Sequence, residues 1–256
     1  VMIRIGGNLG YHILRRWFPG EIGQSDARSS HLLNYKARLV DVVGNQHWEL
    51  LKTKTIVDFG CGHGEGSIEL ALDGAVSVIG IDIRESVLEH ARLRAVEAGV
   101  ANRCRFVSTL SRASADVVVS IDAFEHFKDP RLVLKSMSDL LVPGGAAILS
   151  FGPTWYHPRG GHLFSPFPWA HLMFSESALC RWRRDFRDDG AMRFCEVDGG
   201  LNQMTIAKFE EIAKQSSLEI EHMVTRPIRA LRRLHCHVTR EFLTSVVDCV
   251  LTKLCD

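Results

Sequence analysis

The 256-residue sequence lacks most of the features that would commit it early to a class. No uninterrupted apolar run reaches the eighteen or so residues needed to cross a bilayer, so no membrane-spanning helix is expected. The first twenty residues, VMIRIGGNLGYHILRRWFPG, are broken by Gly6, Gly7, Gly10 and paired arginines. They lack the apolar core and small-residue cleavage site of a secretory signal. Neither sign of charge is in excess, with 31 Lys and Arg against 30 Asp and Glu, so bulk charge gives no reason to expect a nucleic-acid partner. The seven cysteines include no C-x-x-C pair. Neither a zinc site nor a disulfide framework is therefore expected, and a reducing, cytoplasmic location fits. No internal repeat or low-complexity tract interrupts the chain.

What is present is an ordinary globular composition, 46% apolar and 24% charged, enough to bury a core. Short β-branched runs alternate with amphipathic stretches of helical length, the pattern of an α/β fold with a parallel sheet. Strands are expected at 55–59, 76–82, 104–108, 115–121 and 146–151, with helices at 65–73, 86–99 and 131–141 between them. The rhythm stops over residues 152–203, an insertion long enough to form a substrate wall. It resumes with a helix at 205–217, a strand at 218–225, a basic helix at 228–238 and a last strand at 246–254. A further helix is expected over 32–51. The division that follows is an N-terminal helical segment or cap (1–53) and a main domain (54–256) carrying the insertion.

The densest local signal is IVDFGCGHGEGS (56–67), where Gly60, Gly62, Gly64 and Gly66 follow a strand ending near Asp58. A dinucleotide fingerprint starting at Gly60 would need its third glycine at position 65, which is Glu65, and no Gly-Lys-Ser/Thr of a P-loop follows. Asp58 is awkward beside a pyrophosphate and useful beside a cationic ligand. Asp82, at the end of the second strand, can accept two hydrogen bonds from vicinal ribose hydroxyls, or can merely cap the next helix. A ribose with a positive charge and no phosphate against the loop describes S-adenosylmethionine, whose carboxylate would suit the helix N-terminus near Gly64.

Asp58-x-Gly60-x-Gly62-x-Gly64, GIDI (80–83), ADVVVSIDAFEHFKDP (115–130) and LLVPGGAAILSF (140–151) together resemble the ordered motifs of class I SAM-dependent methyltransferases. The likeness is to the small-molecule group carrying an "EH-x-x-DP" segment after the fourth strand. The resemblance implies a Rossmann-like, doubly wound seven-stranded sheet, mostly parallel with an antiparallel last strand, and helices on both faces. It implies S-adenosylmethionine contacts from Asp58, Gly60, Cys61, Gly62, Gly64, Asp82, Ile83, Thr109, Ile121 and Asp122. It departs from the family at 106–116, where the acid that commonly holds the adenine amino group is missing; Ser108, Thr109 or a backbone group would have to substitute.

The reaction expected is methyl transfer to an oxygen or nitrogen of a small-molecule acceptor. The other reading is a non-catalytic SAM-binding or regulatory module of the same fold. Candidate catalytic groups are His126, which Glu125 could orient or charge, and His162 and Tyr156 from the insertion. Each has a structural alternative: His126 can shape the cofactor pocket, and the aromatic residues around Trp155, Phe164, Trp169 and Phe174 can simply dock the insertion on the core. His157, His162, His171 and Glu176 lack the convergent spacing of metal ligands, so no metal is expected. In RPIRALRRLHCH (226–237), Ile228, Leu231 and Leu234 recur every three residues. The segment could touch an anionic membrane or an acidic partner; the favoured reading is that one face packs inward, leaving a solvated rim of arginines.

Overall fold

The computed structural model describes residues 4–18, 35–44, 48–49, 51–110, 115–162, 164, 167–197 and 200–254. Parts of the expected 32–51 helix, of the 1–53 segment, of the insertion and of the 106–116 stretch lie outside these described residues, as does Cys255. Seven strands form one sheet in the order β3-β2-β1-β4-β5-β7-β6. They are β1 (Thr55–Phe59), β2 (Ser77–Ile81), β3 (Cys104–Val107), β4 (Ala115–Ile121), β5 (Leu141–Phe151), β6 (Leu218–Pro227) and β7 (Thr244–Lys253). The first five pair in parallel, and β7 runs antiparallel to both β5 and β6. This is the Rossmann-like sheet with an antiparallel last strand that the motif order implies. β5 begins five residues earlier than expected, because helix 130–140 runs directly into an irregular first pairing of Ala115 with Leu141.

The pleat divides the strands' side chains between two faces. Val57, Val118, Leu149 and Leu251 point to one core, packed by α5 (Pro130–Leu140) and α8 (Ile206–Lys214) through Leu134, Met137, Phe209 and Ile212. Ile56, Val78, Val117 and Ile148 point to the other, covered by α2 (Tyr35–Val43), α3 (Glu65–Leu72) and α4 (Glu85–Glu97) through Leu39, Ile68, Leu88 and Ala91. Helix starts are set locally: Asp129 accepts from the amides of Arg131 and Leu132, and Thr205 from that of Lys208.

A third core joins the N-terminal α1 (Gly7–Trp17) to the insertion. The insertion contributes α6 (Ala170–Met173) and α7 (Glu176–Arg183). Ile5 exchanges backbone hydrogen bonds with Met173 and Ser175, and Tyr11, Leu14, Phe174, Leu179 and Trp182 are buried together. Residues 4–18 thus belong with the insertion, whereas α2 belongs with the sheet. The basic segment departs from expectation. It forms a 3₁₀ turn (Arg229–Leu234) with no buried residue, followed by a short α9 (Arg240–Leu243). Leu234 is 62% exposed rather than packed inward. A three-residue apolar repeat matches a 3₁₀ period, in which residues i and i+3 eclipse, and not an α-helical face. Among the described residues no helix is long and apolar enough to cross a membrane.

α2 is seated on the glycine loop by a buried carboxylate. Asp58 accepts from Tyr35 Oη (3.0 Å) on α2 and from Ser67 Oγ (2.6 Å) on α3. Gly66 makes this possible, since a Cβ there would lie 2.3 Å from the Tyr35 ring. Burial lifts the Asp58 pKa from 3.8 to about 6, against the opposing effect of the Ser67 and Tyr35 bonds. Burial and Asp58 together push the Tyr35 phenol well above its ordinary value, so it remains a donor. Between pH 4 and 6 the folded state therefore holds a proton that the unfolded chain has released. The contribution of Asp58 to stability falls as pH rises through that window and stays lowest above it, a cost on the order of 3 kcal/mol. In urea unfolding, Asp58→Asn is expected to gain on wild type from pH 4 to 6 and to level off above. A difference that does not vary with pH would show that Asp58 does not titrate there.

Candidate active site

Three carboxylates end three adjacent strands: Asp58 in β1, Asp82 just after β2 and Asp122 just after β4. Each is committed differently. Asp58 is held by Tyr35 and Ser67, as described. The loop that follows it turns through Gly60, Gly62 and Gly64, with φ of +84°, +53° and +78°. At Gly64 a Cβ would lie 2.7 Å from the Phe106 ring and 2.8 Å from Ala91, so neither backbone conformation nor space admits a side chain. The amides of Gly60 and Cys61 donate to the Ile81 carbonyl (2.8 and 3.0 Å), which stitches the loop to the end of β2. The Cys61 thiol is buried, and that burial pushes its pKa up.

Asp82 is 7% exposed and accepts from Gly62 N (3.0 Å), Arg84 N (3.0 Å), Arg84 Nε (3.0 Å) and Arg84 Nη2 (3.1 Å). Burial alone would raise its pKa. The bonds from Arg84 and Gly62 outweigh burial and hold the carboxyl below the usual range. Ile83 beside it is 90% exposed, an apolar side chain standing at the strand end. Asp122 adopts φ +51° and donates its amide to Ser150 O (2.7 Å). Its carboxylate is clamped by both terminal nitrogens of Arg38 on α2, at 2.9 and 2.8 Å. Arg38 also donates to Ser150 Oγ (2.7 Å), which donates to Asp248 Oδ1 (2.7 Å). Asp248 pairs with Arg226, whose other end donates to Asp41 O of α2 at 2.8 Å. Ile121 is half-buried and Thr109 exposed. Asp116, at the start of β4, accepts from Thr55 N (2.8 Å) at the opposite edge of the sheet. It therefore supplies no adenine acid.

The 3₁₀ turn Phe124–His126 borders the loop; a Cβ at Gly60 would lie 2.9 Å from that of Ala123 and 3.1 Å from the Phe127 ring. His126 Nδ1 lies 2.8 Å from Gly200 O. A carbonyl only accepts, so Nδ1 carries hydrogen, and in the neutral ring Nε2 keeps the lone pair a general base needs. Glu125 does not orient the ring by this bond: its carboxylate accepts from Gly152 N (3.1 Å). Burial raises the Glu125 pKa, while nearby His126 lowers it. The His162 ring meets that of His126 edge-on, centroids 5.5 Å apart. Tyr156 instead stacks on Phe242, centroids 5.3 Å apart, and is 36% exposed.

Most of the insertion's other rings are structural. Trp155, Phe164, His171 and Phe174 are buried, and His171 Nε2 donates to Trp155 O (2.6 Å). Burial lowers the pKa of His157 and of His171 to about 4, so both are neutral. Trp169 is 37% exposed and donates to Tyr156 O (2.9 Å). Among the described residues no three His, Cys, Asp or Glu side chains converge as metal ligands. Tyr35, Arg38, Ser67 and Ser150 went unread in the sequence. Their one local signal is the i, i+3 spacing of Tyr35 and Arg38, which puts both on one side of α2.

Comparison with known proteins agrees with this geometry. A methyltransferase domain family matches residues 57–149. A "Ubiquinone biosynthesis O-methyltransferase" of Pseudomonas paraeruginosa (strain DSM 24068 / PA7) is 35% identical over 156 residues, covering 53% of this chain and 64% of that protein. A second, from Idiomarina loihiensis (strain ATCC BAA-735 / DSM 15497 / L2-TR), is 38% identical over 109 residues, 41% of this chain and 44% of its own length. The chain thus spans about half the length of the curated relatives it matches here. One of the same name from Pseudomonas syringae pv. tomato (strain ATCC BAA-871 / DC3000) is 30% identical over 195 residues, 68% of this chain and 78% of that one. Among solved structures, the magnesium protoporphyrin IX methyltransferase (ChlM) from Synechocystis PCC 6803 with bound SAH superposes with a TM-score of 0.57. That match covers 96% of this chain and 94% of the other at 20% identity, and shows the shared fold. With its motifs, sheet order and relatives in agreement, the chain belongs to the class I SAM-dependent methyltransferases.

Proposed function

We propose that the protein transfers a methyl group from S-adenosylmethionine to an oxygen of a small-molecule acceptor. The observation that carries the donor assignment is Asp82: a buried carboxylate at the end of β2, tied to the glycine loop by Gly62 N and flanked by the exposed Ile83. The residues fit the cofactor. A ribose diol needs a paired acceptor, which Asp82 offers once its hydroxyls exchange with the side-chain donors of Arg84. An adenine needs an apolar surface, and Ile83 stands beside that carboxylate. Asp58, Gly60, Cys61, Gly62 and Gly64 would line the donor's amino-acid end, with Ile121, Asp122 and Thr109 along its rim. The names of the bacterial relatives support oxygen as the acceptor atom.

When bound, S-adenosylmethionine supplies a methyl group on a positively charged sulfur, already activated for displacement. The chain's task is then alignment and proton removal. In this reading His126 Nε2 takes the acceptor hydroxyl's proton, its tautomer fixed by Gly200 O, while His162 borders the acceptor against the His126 ring. Tyr156 would line the outer wall.

By calorimetry, Asp82→Ala is expected to weaken S-adenosylmethionine binding at least about tenfold, the scale of hydrogen bonds lost to a charged group. Unchanged affinity would remove Asp82 from the site. In methyl-transfer assays over a panel of phenols, catechols and amines, His162→Ala is expected to lower kcat by more than it weakens cofactor binding. His126→Gln should lower kcat by roughly 10²–10⁴-fold. Wild-type rates in both variants would return the two histidines to structural roles. Tight binding of both cofactor and S-adenosylhomocysteine, with no transfer to any acceptor, would favour a binding module without turnover.

A further inference from the structure

The connection from β6 to β7, residues 228–243, is unlike the rest of the molecule. Neither its 3₁₀ turn nor α9 contains a buried residue. Three of its large apolar side chains stand outward: Leu234 is 62% exposed, Val238 84% and Phe242, with one side of its ring against Tyr156, 46%; Ile228, Leu231 and Leu243 are half-buried. The Thr239 hydroxyl donates to Leu234 O (2.6 Å), and the amides of Thr239 and Arg240 donate to Cys236 O, which fold the segment into one compact projection. Its ends are tied to the sheet, since Ile228 N donates to Leu243 O (2.8 Å) and His235 Nε2 lies 3.0 Å from Thr244 Oγ1.

The charges of this segment that are not engaged elsewhere are of one sign. Arg226 and Arg240 are used internally, by Asp248 and Glu210. The one acid of the segment, Glu241, caps α8 by accepting from Ile206 N (3.1 Å) and Ala207 N (2.8 Å). Arg229, Arg232 and Arg233 remain, all exposed, and no ion pair with any of them occurs among the described residues. The projection leaves the sheet where β6 ends and β7 begins, opposite Phe151 at the end of β5. It therefore lies at the edge where β1, β2 and β4 present their carboxylates.

From this combination we infer that residues 228–243 dock the protein on an anionic lipid surface. Guanidinium groups meet the lipid phosphates, and Leu234, Val238 and Phe242 enter the interfacial layer. Exposed apolar side chains on one segment with three exposed arginines suit a deformable, negatively charged layer, since each cation near such a surface contributes separately and each apolar side chain adds area removed from water. An acidic protein is the competing occupant, and it would need a cavity shaped to three projecting side chains.

The test is co-sedimentation of the full chain with vesicles of pure phosphatidylcholine and of phosphatidylcholine with one quarter phosphatidylglycerol, at low and high salt. Binding is expected only to the anionic vesicles and should weaken with salt. Arg229→Gln, Arg232→Gln and Arg233→Gln combined should lower partitioning on the order of a hundredfold. Leu234→Ser with Val238→Ser, which keeps every charge, should also weaken it. Circular dichroism and S-adenosylmethionine affinity of both variants should match wild type. Because wild type alone reports the lipid and salt dependence, misfolding of a variant does not shield the inference. No vesicle binding, equal binding to both vesicle types, or binding to a polyglutamate peptide without binding to vesicles would overturn it.

Discussion

The structure depends on a carboxylate taken out of water. Asp58 sits at the end of β1 with almost no solvent contact, and the hydroxyls that replace its hydration come from two helices, α2 and α3. That exchange fixes three things at once: the direction in which the chain leaves β1, the start of the glycine loop and the seat of α2. Its cost appears as a carboxyl that ionises reluctantly. A buried charge of this kind is a poor source of stability and a good determinant of geometry, because only one arrangement of donors satisfies it. Arg38 repeats the device on the neighbouring strand, from the same helix, by clamping Asp122 at the end of β4. The first turn of α2 is therefore held by two carboxylates at strand ends, and Arg226 ties Asp41 O nearer its other end.

This arrangement explains what the sequence revealed and what it concealed. The sheet was legible because its strands are covered on both faces and read as apolar runs, as in ADVVVSI. The glycine loop was legible because positive φ and close approach leave glycine as the residue that fits. Asp82 was legible by its place at a strand end. The long-range partners were not: nothing local to Tyr35 distinguishes a phenol that reaches Asp58, 23 positions away, from one on an ordinary amphipathic helix. Ser150 and Asp248 are likewise joined across 98 positions. The partner of His126 Nδ1, Gly200 O, also comes from 74 positions downstream.

The insertion shows how an aromatic-rich stretch divides once folded. Trp155, Phe164 and Phe174 were consumed in a separate core with α1, and burial neutralised His157 and His171. What remained at the 3₁₀ turn after β4 is one histidine pair, His126 and His162. The basic turn divides in the opposite sense: a period of three that reads as a weak helix face becomes a 3₁₀ turn that leaves Ile228 and Leu231 half-buried and Leu234 outward. Both outcomes follow from whether a partner surface exists within reach, a property of the whole fold.

The bond that fixes His126 also fixes its aim. With Nδ1 given to Gly200 O, Nε2 is the one ring nitrogen left to meet a ligand, and the ring cannot turn without breaking that bond. The carbonyl comes from residue 200, near the end of the insertion, so the direction of Nε2 is tied to how the insertion folds. A shift of that backbone would re-aim the ring without changing a residue of the turn that carries it.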